Sequence, residues 1–86
     1  MAKVVMYSTQ FCPYCVRAKM LLESKGVEFT EIRVDIERDR YSEMINLAGR
    51  SSVPQIFIND DHVGGCDDLY ALERQGILDP KLGLGE

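Results

Sequence analysis

No stretch of this chain of 86 residues approaches the roughly 18 consecutive apolar residues that mark a membrane-crossing helix, so no membrane segment is expected. Cations are scarce as well. Ten Lys and Arg stand against fourteen Asp and Glu, a net charge of −4, and they gather into no basic stripe. That argues against a nucleic-acid-binding domain, whose affinity comes largely from cationic contacts to phosphate. Cysteine is sparse and odd in number: Cys12, Cys15 and Cys66. Three thiols make a poor disulfide framework. The N-terminal apolar run Val4-Val5-Met6 gives way at once to polar Ser8, Thr9 and Gln10, which is too short for a secretion signal. A reducing cytosol is therefore the expected compartment, where a close cysteine pair is catalytic or metal-binding rather than structural. With no internal repeat, linker or low-complexity segment, residues 1–86 read as one domain. A domain of this size buries about 60% of the surface its unfolded chain exposes and needs no covalent staple.

The feature that is present, and around which the rest falls into order, is Phe11-Cys12-Pro13-Tyr14-Cys15. Before it, Lys3 to Ser8 is nearly continuously apolar, as in a strand covered on both faces. After it, Pro13 suits the first turn of a helix, where its missing N–H costs nothing. Tyr14, Cys15, Ala18, Leu21 and Leu22 then share one helical face, and Gly26 stops the run. Phe29 to Asp35 alternates as a half-exposed strand near a sheet edge. A second helix is expected from about Glu37 or Arg38 to Ala48, with Tyr41, Met44, Ile45 and Ala48 buried and Gly49 at its end. Gln55 to Ile58 is a third strand, Asn59-Asp60-Asp61 a turn, and His62-Val63 a short fourth strand closed by Gly64-Gly65. The last helix opens near Cys66-Asp67-Asp68, acids that complement a helix N-terminus, buries Leu69 and Leu72, and stops at Gly76. Leu78 to Glu86 reads as a short turn and a frayed tail. The order β-α-β-α-β-β-α predicts an α/β fold: a four-stranded mixed sheet flanked by three helices, placed on both faces.

A helix beginning at Cys12 carries unpaired N–H groups and a dipole that favour negative charge on that sulfur. Free thiols titrate near ~8.5, and at helix N-termini or in Cys-x-x-Cys pairs the value falls to roughly 3.5–7.5. The thiolate is the attacking species in disulfide exchange. Cys12 is thus the candidate nucleophile, and Cys15, one turn inward, the thiol that resolves a mixed disulfide. Two other readings stand beside this one. Both cysteines could be ordinary buried residues. Alternatively, His62 and Cys66 could join them in a zinc set, although a whole βα unit and a strand separate the two pairs. His62 alone reads as a solvent-facing strand residue, and Cys66 alone as structural.

Three segments in order carry a resemblance that spans nearly the whole chain: Cys12-Pro13-Tyr14-Cys15 after Tyr7-Ser8, then Ser52-Val53-Pro54-Gln55-Ile56-Phe57-Ile58, then Gly64-Gly65-Cys66-Asp67-Asp68-Leu69. The sequence resembles the dithiol glutaredoxins. The resemblance implies a thioredoxin fold, a cis Val53-Pro54 bond, and glutathione-dependent thiol–disulfide exchange with Cys12 attacking and Cys15 resolving. It implies glutathione as co-substrate, held by Tyr14, Ser52, Val53, Pro54, Cys66 and Asp67, with no bound cofactor and no metal. Val53 would pair by its main chain with the glutathione cysteine. The helix at Cys66 would take the γ-glutamyl carboxylate, and Asp67 the amine, a role it can combine with helix capping. The implied partners are disulfide-containing or glutathionylated proteins, with ribonucleotide reductase one candidate, met by a monomer. Two departures concern the glycine carboxylate of glutathione: Thr9 stands where many members carry lysine, and Tyr41 where a polar or basic residue is frequent. Arg38 and Arg40 lie near enough in sequence to substitute. The alternatives of other function are a thioredoxin-like donor recharged by a flavoprotein reductase and an iron–sulfur or zinc-binding protein.

Overall fold

The computed structural model describes residues 2–84. Met1, and Gly85 and Glu86 at the end of the expected tail, lie outside the described residues. The elements are β1 (Val4–Ser8), α1 (Pro13–Ser24), β2 (Thr30–Arg33), α2 (Asp39–Ala48), β3 (Gln55–Ile58), β4 (Asp61–Gly64), α3 (Cys66–Arg74) and α4 (Leu78–Lys81). The sheet order is β2-β1-β3-β4. β1 runs parallel to β2, with Tyr7 opposite Ile32. β1 is antiparallel to β3, with Met6 opposite Ile56, and β3 to β4. This is the expected mixed sheet, with β2 at an edge.

The two-residue period of the strands divides the core into two layers. Val4, Met6, Ile56 and Ile58 point to one face, where Ala18 and Leu22 of α1, Leu69 of α3, and Leu78 and Leu82 close over them. Tyr7 and Phe57 point to the other, where Ile32, Val34 and Met44 of α2 join them. The register makes both sets coherent, because Met6 faces Ile56 and Val5 faces Phe57 across the same ladder. A one-residue slip would send every apolar side chain to the wrong layer. The central strands are buried on both sides for this reason, as the apolar run in β1 anticipates. The hairpin between β3 and β4 turns on Asn59 and Asp60, both at positive φ (52° and 69°), as the right-handed strand twist favours in two-residue loops.

Four expectations need correction. The tail carries a fourth, short helix, α4. It forms because Leu78 and Leu82 are pulled into the first core layer, and Pro80 falls in the first turn, where its missing donor is no loss. β2 is shorter than the alternation of residues 29–35 implies. After Val34 N–H donates to Ser8 O (3.0 Å), the chain turns, with Glu37 N–H donating to Arg33 O (2.8 Å). α2 accordingly begins at Asp39. Finally, Tyr41 is not a core residue: it is 38% exposed. Tyr14 is 55% exposed, in keeping with its expected place beside the glutathione tripeptide. Tyr14 projects outward next to the exposed Pro13, while the Tyr41 hydroxyl donates to Ser51 O at 2.9 Å.

Candidate active site

The loop leaving β1 delivers Cys12 to the N-cap of α1 in extended conformation (φ −137°, ψ 98°), with Pro13 in the first turn and no acid there to oppose negative charge. The Cys15 N–H donates to Cys12 Sγ at 3.1 Å. The helix start thus directs both its dipole and a main-chain donor at this sulfur. Cys12 and Cys15 are joined as a disulfide, with Cα atoms 5.1 Å apart. Their burial differs: Cys12 keeps 8% of its surface exposed and Cys15 1%. Of the two sulfur-bearing residues, Cys12 is the more accessible from solvent.

The loop before α1 is tethered from its far side. Asp35 accepts from Gln10 N–H at 3.1 Å and takes a forked pair from Arg33 at 2.7 and 2.6 Å. The Arg33 guanidinium holds the Asp35 carboxyl down to about 2, so this tether persists through the physiological range.

Opposite Cys12 runs the segment that enters β3. Its Val53-Pro54 bond is cis, and Val53 O lies 3.8 Å from Cys12 Sγ. Beside it is a cleft of about 240 Å³ lined by Tyr14, Arg50, Ser52, Val53, Pro54, Gly65, Cys66, Asp67 and Asp68. All six residues expected to hold the tripeptide meet on this one cleft, although they come from three separate parts of the chain. Cys66 is buried at the start of α3, and burial pushes its thiol up from the ordinary value. Asp67 is exposed in the first turn.

Two members of the cleft escape sequence reading. Asp68 accepts from Gly65 N–H at 2.8 Å and from Arg50 at 3.1 Å. These two donors, the Gly65 N–H foremost, hold its carboxyl below the ordinary value. Arg50 therefore ties the loop before Pro54 to the start of α3, joining the two walls of the cleft. The acid three residues past Gly65 is the capping-box position, which could have marked Asp68; nothing local marks Arg50. Gly64 is required here: at φ +121° its missing Cβ would lie directly against the Asp68 carboxylate.

A second cavity, about 490 Å³, adjoins the first at Val53 and is lined by Thr9, Val34, Asp35, Arg38, Tyr41 and Ser51. The two arginines near Thr9 separate here. Arg40 is occupied by Glu43 (2.9 Å) and Glu37 (3.6 Å), whereas Arg38 lines the cavity beside Thr9. His62 is not brought to the thiols. Its Nε2 faces Gln55 Oε1 at 2.7 Å, and among the described residues no three His, Cys, Asp or Glu side chains gather as a metal set. His62 is, as expected, an exposed strand residue, and its ring also lies against Phe57, centroids 5.0 Å apart.

A thioredoxin-fold sheet with a dithiol at the first helix start, facing a cis-proline segment, defines a thiol–disulfide oxidoreductase. Comparison with known proteins narrows the class. The glutaredoxin family model matches residues 4–63. The chain is 56% identical over 82 residues to glutaredoxin 3 of Escherichia coli, covering 95% of this chain and 99% of that one. It is 55% identical to a glutaredoxin of Pseudomonas aeruginosa, covering 95% and 98%. Among solved structures it is similar to a buckwheat glutaredoxin–glutathione complex, with a TM-score of 0.89 at 33% identity over 95% of this chain and 77% of that one. The chain belongs to the glutaredoxin family. It is a glutathione-dependent thiol–disulfide oxidoreductase acting through the dithiol of Cys12 and Cys15.

Proposed function

We propose that Cys12 is the nucleophile, that Cys15 resolves protein mixed disulfides, and that the cleft between Tyr14, Ser52-Val53-Pro54 and Cys66-Asp67 holds glutathione. The observation that carries this reading is the convergence of those six residues on one cleft whose Val53 wall stands 3.8 Å from Cys12 Sγ. With a glutathionylated protein, the Cys12 thiolate attacks the glutathione sulfur. The mixed disulfide breaks, the protein thiolate leaves and takes a proton, and glutathione remains on Cys12. A second glutathione thiolate then attacks that sulfur, releasing glutathione disulfide and regenerating Cys12. With a protein disulfide, the Cys12 thiolate attacks one sulfur and the substrate S–S bond breaks. The other sulfur leaves as a thiolate that takes a proton, and Cys12 becomes linked to the substrate. The Cys15 thiolate displaces the substrate thiol, leaving the Cys12–Cys15 disulfide for two glutathione molecules to reduce.

The main chain of Val53 would pair with the cysteine of the tripeptide. The start of α3 would take the γ-glutamyl carboxylate, since helix N-termini bind anions, and Asp67 its amine, with Tyr14 along one side. At the glycine end we assign Arg38, because it lines the cavity joined to the first at Val53 while Arg40 is held by acids. The protein partners in this reading are glutathionylated and disulfide-bearing proteins of a bacterial cytoplasm. No helix among the described residues is long and apolar enough to cross a membrane. In this reading residues 1–86 act as one domain and as a monomer.

The test is turnover of a glutathione mixed disulfide coupled to glutathione and glutathione reductase. We expect saturable turnover. No activity there, together with reduction by a flavoprotein thioredoxin reductase, would overturn the reading in favour of a thioredoxin-like donor.

A further inference from the structure

The cis-proline segment is held by side chains. Among the described residues no turn or cap hydrogen bond of the main chain engages residues 50–54, and Pro54 has no N–H to offer. Behind the segment sits Gln55, the first residue of β3 and fully buried. Its Nε2 donates to Ser52 O at 3.0 Å and lies 3.4 Å from Ser52 Oγ. Its Oε1 faces His62 Nε2 at 2.7 Å. Because the Gln55 Oε1 is an acceptor, His62 Nε2 carries the hydrogen and donates it. His62 in turn is seated by its ring on Phe57. A continuous chain of contacts therefore runs from β4, through one buried amide, to the carbonyl immediately before Val53.

We propose that Gln55 and His62 are positioning residues for the glutathione reaction. Gln55 fixes the Ser52 carbonyl inward, which holds the next carbonyl, that of Val53, outward beside Cys12 Sγ; His62 fixes the orientation of the Gln55 amide. This rests on the reading that the tripeptide pairs with the main chain of Val53. The stability account does not call for such a residue. A buried amide costs desolvation that its hydrogen bonds only offset, and the strand period puts it on the face of Tyr7 and Phe57, in the second core layer. Ser52 and His62 are both exposed enough for water to take the bonds Gln55 would leave. An apolar side chain of similar size would keep the fold and lose only the grip on the turn.

The experiment compares reduced wild type, Gln55→Leu, His62→Phe and the double variant. His62→Phe keeps a ring over Phe57 and removes the donor. The probe is the mixed disulfide of glutathione and 2-mercaptoethanol, in the glutathione-coupled assay. Melting temperature and the rate of Cys12 alkylation by iodoacetamide are read in parallel. Gln55→Leu is expected to raise KM about tenfold, roughly the effect of losing one net hydrogen bond, with kcat and the alkylation rate within twofold of wild type. His62→Phe is expected to raise KM about threefold, and the double variant to match Gln55→Leu alone, because His62 acts through Gln55. His62→Gln, which retains a donor, should recover part of the loss. An unchanged KM in folded Gln55→Leu, or single effects that multiply in the double variant, would overturn the proposal while leaving the glutathione reading intact. If Gln55→Leu does not fold, an unchanged KM in His62→Phe overturns it equally. A wild-type protein that does not turn over the probe overturns both.

Discussion

The carbonyl oxygen of Val53 lies 3.8 Å from the sulfur of Cys12, though 41 residues separate them in sequence. In the proposed mechanism Cys12 is where exchange begins, and the Val53 main chain is the edge along which the tripeptide is laid. Their separation sets where a bound sulfur sits relative to the attacking one. Disulfide exchange requires the three sulfurs to come into line, so a displacement of this edge should weaken productive binding of the tripeptide and raise KM.

The unequal burial of the two thiols predicts unequal consequences. Cys12→Ser should abolish all exchange. Cys15→Ser should retain turnover of glutathione mixed disulfides while losing reduction of a protein disulfide such as that of insulin. Both are read in the glutathione-coupled assay. Equal loss of both activities in Cys15→Ser would refute the division of labour.

Arg38 supplies the second test. If it meets the glycine carboxylate, Arg38→Ala should raise KM for the glutathione mixed disulfide about fivefold, the scale of a solvent-screened ion pair near ~1 kcal/mol. Thr9→Lys, which adds a cation to the same cavity, should lower KM by a similar factor. The effect should shrink as salt is raised. Salt-independent or absent changes would place the carboxylate elsewhere.

The third prediction concerns alkaline stability. Tyr7 is buried in the second core layer and donates to Glu43 at 2.6 Å. Burial and then the Glu43 carboxylate push its hydroxyl up to about 12. The folded value lies above the unfolded one, near ~10. The stabilisation is therefore fully present below pH 10 and lost as pH rises through about 12. Urea midpoints measured from pH 8 to 12 should fall across that window in the wild type. Tyr7→Phe should be less stable at pH 8 and show a shallower decline; a parallel decline in both proteins would exclude Tyr7 as its source.

A fourth prediction separates the third cysteine from the other two. Burial raises the Cys66 thiol and leaves it 4% exposed. In the reduced protein, iodoacetamide near neutral pH should modify Cys12 well before Cys66, and Cys66 should react fully only in denaturant. Mass mapping of the alkylated peptides checks the order. Early labelling of Cys66 would show that the start of α3 opens in solution.

Much of this architecture was legible in the residues. The apolar run in β1, Pro13 after Cys12, the Asn59-Asp60 turn and the acids opening α3 are local signals with local causes, and each element formed where its signal stood. The misreadings were also physical. Tyr41 sits at a core-like helical spacing, yet a tyrosine can meet its polar end at the surface, and it does, donating to Ser51 O. The alternation of residues 29–35 continues past the point where β1 ends, and with no further ladder to pair with, the chain turned. Leu78 and Leu82 carry a weak local pattern and became helical because the first core layer had room for both. In the site, Cys12, Cys15 and the segments around Val53 and Cys66 were legible. Arg50, Gln55 and the choice of Arg38 over Arg40 were not, because each depends on a partner many residues away.

The sequence by itself determined the order of the four strands and the first three helices and the placing of two thiols at a helix start. Periodicity, proline and glycine act within a few residues and need no tertiary context. The tertiary structure alone decided which thiol faces solvent, that residues near 12, 53 and 66 form one cleft, and how the cis-proline turn is held. Those outcomes follow from sheet register and from which side chains the two core layers bury, quantities that belong to the packed molecule and to no single stretch of it.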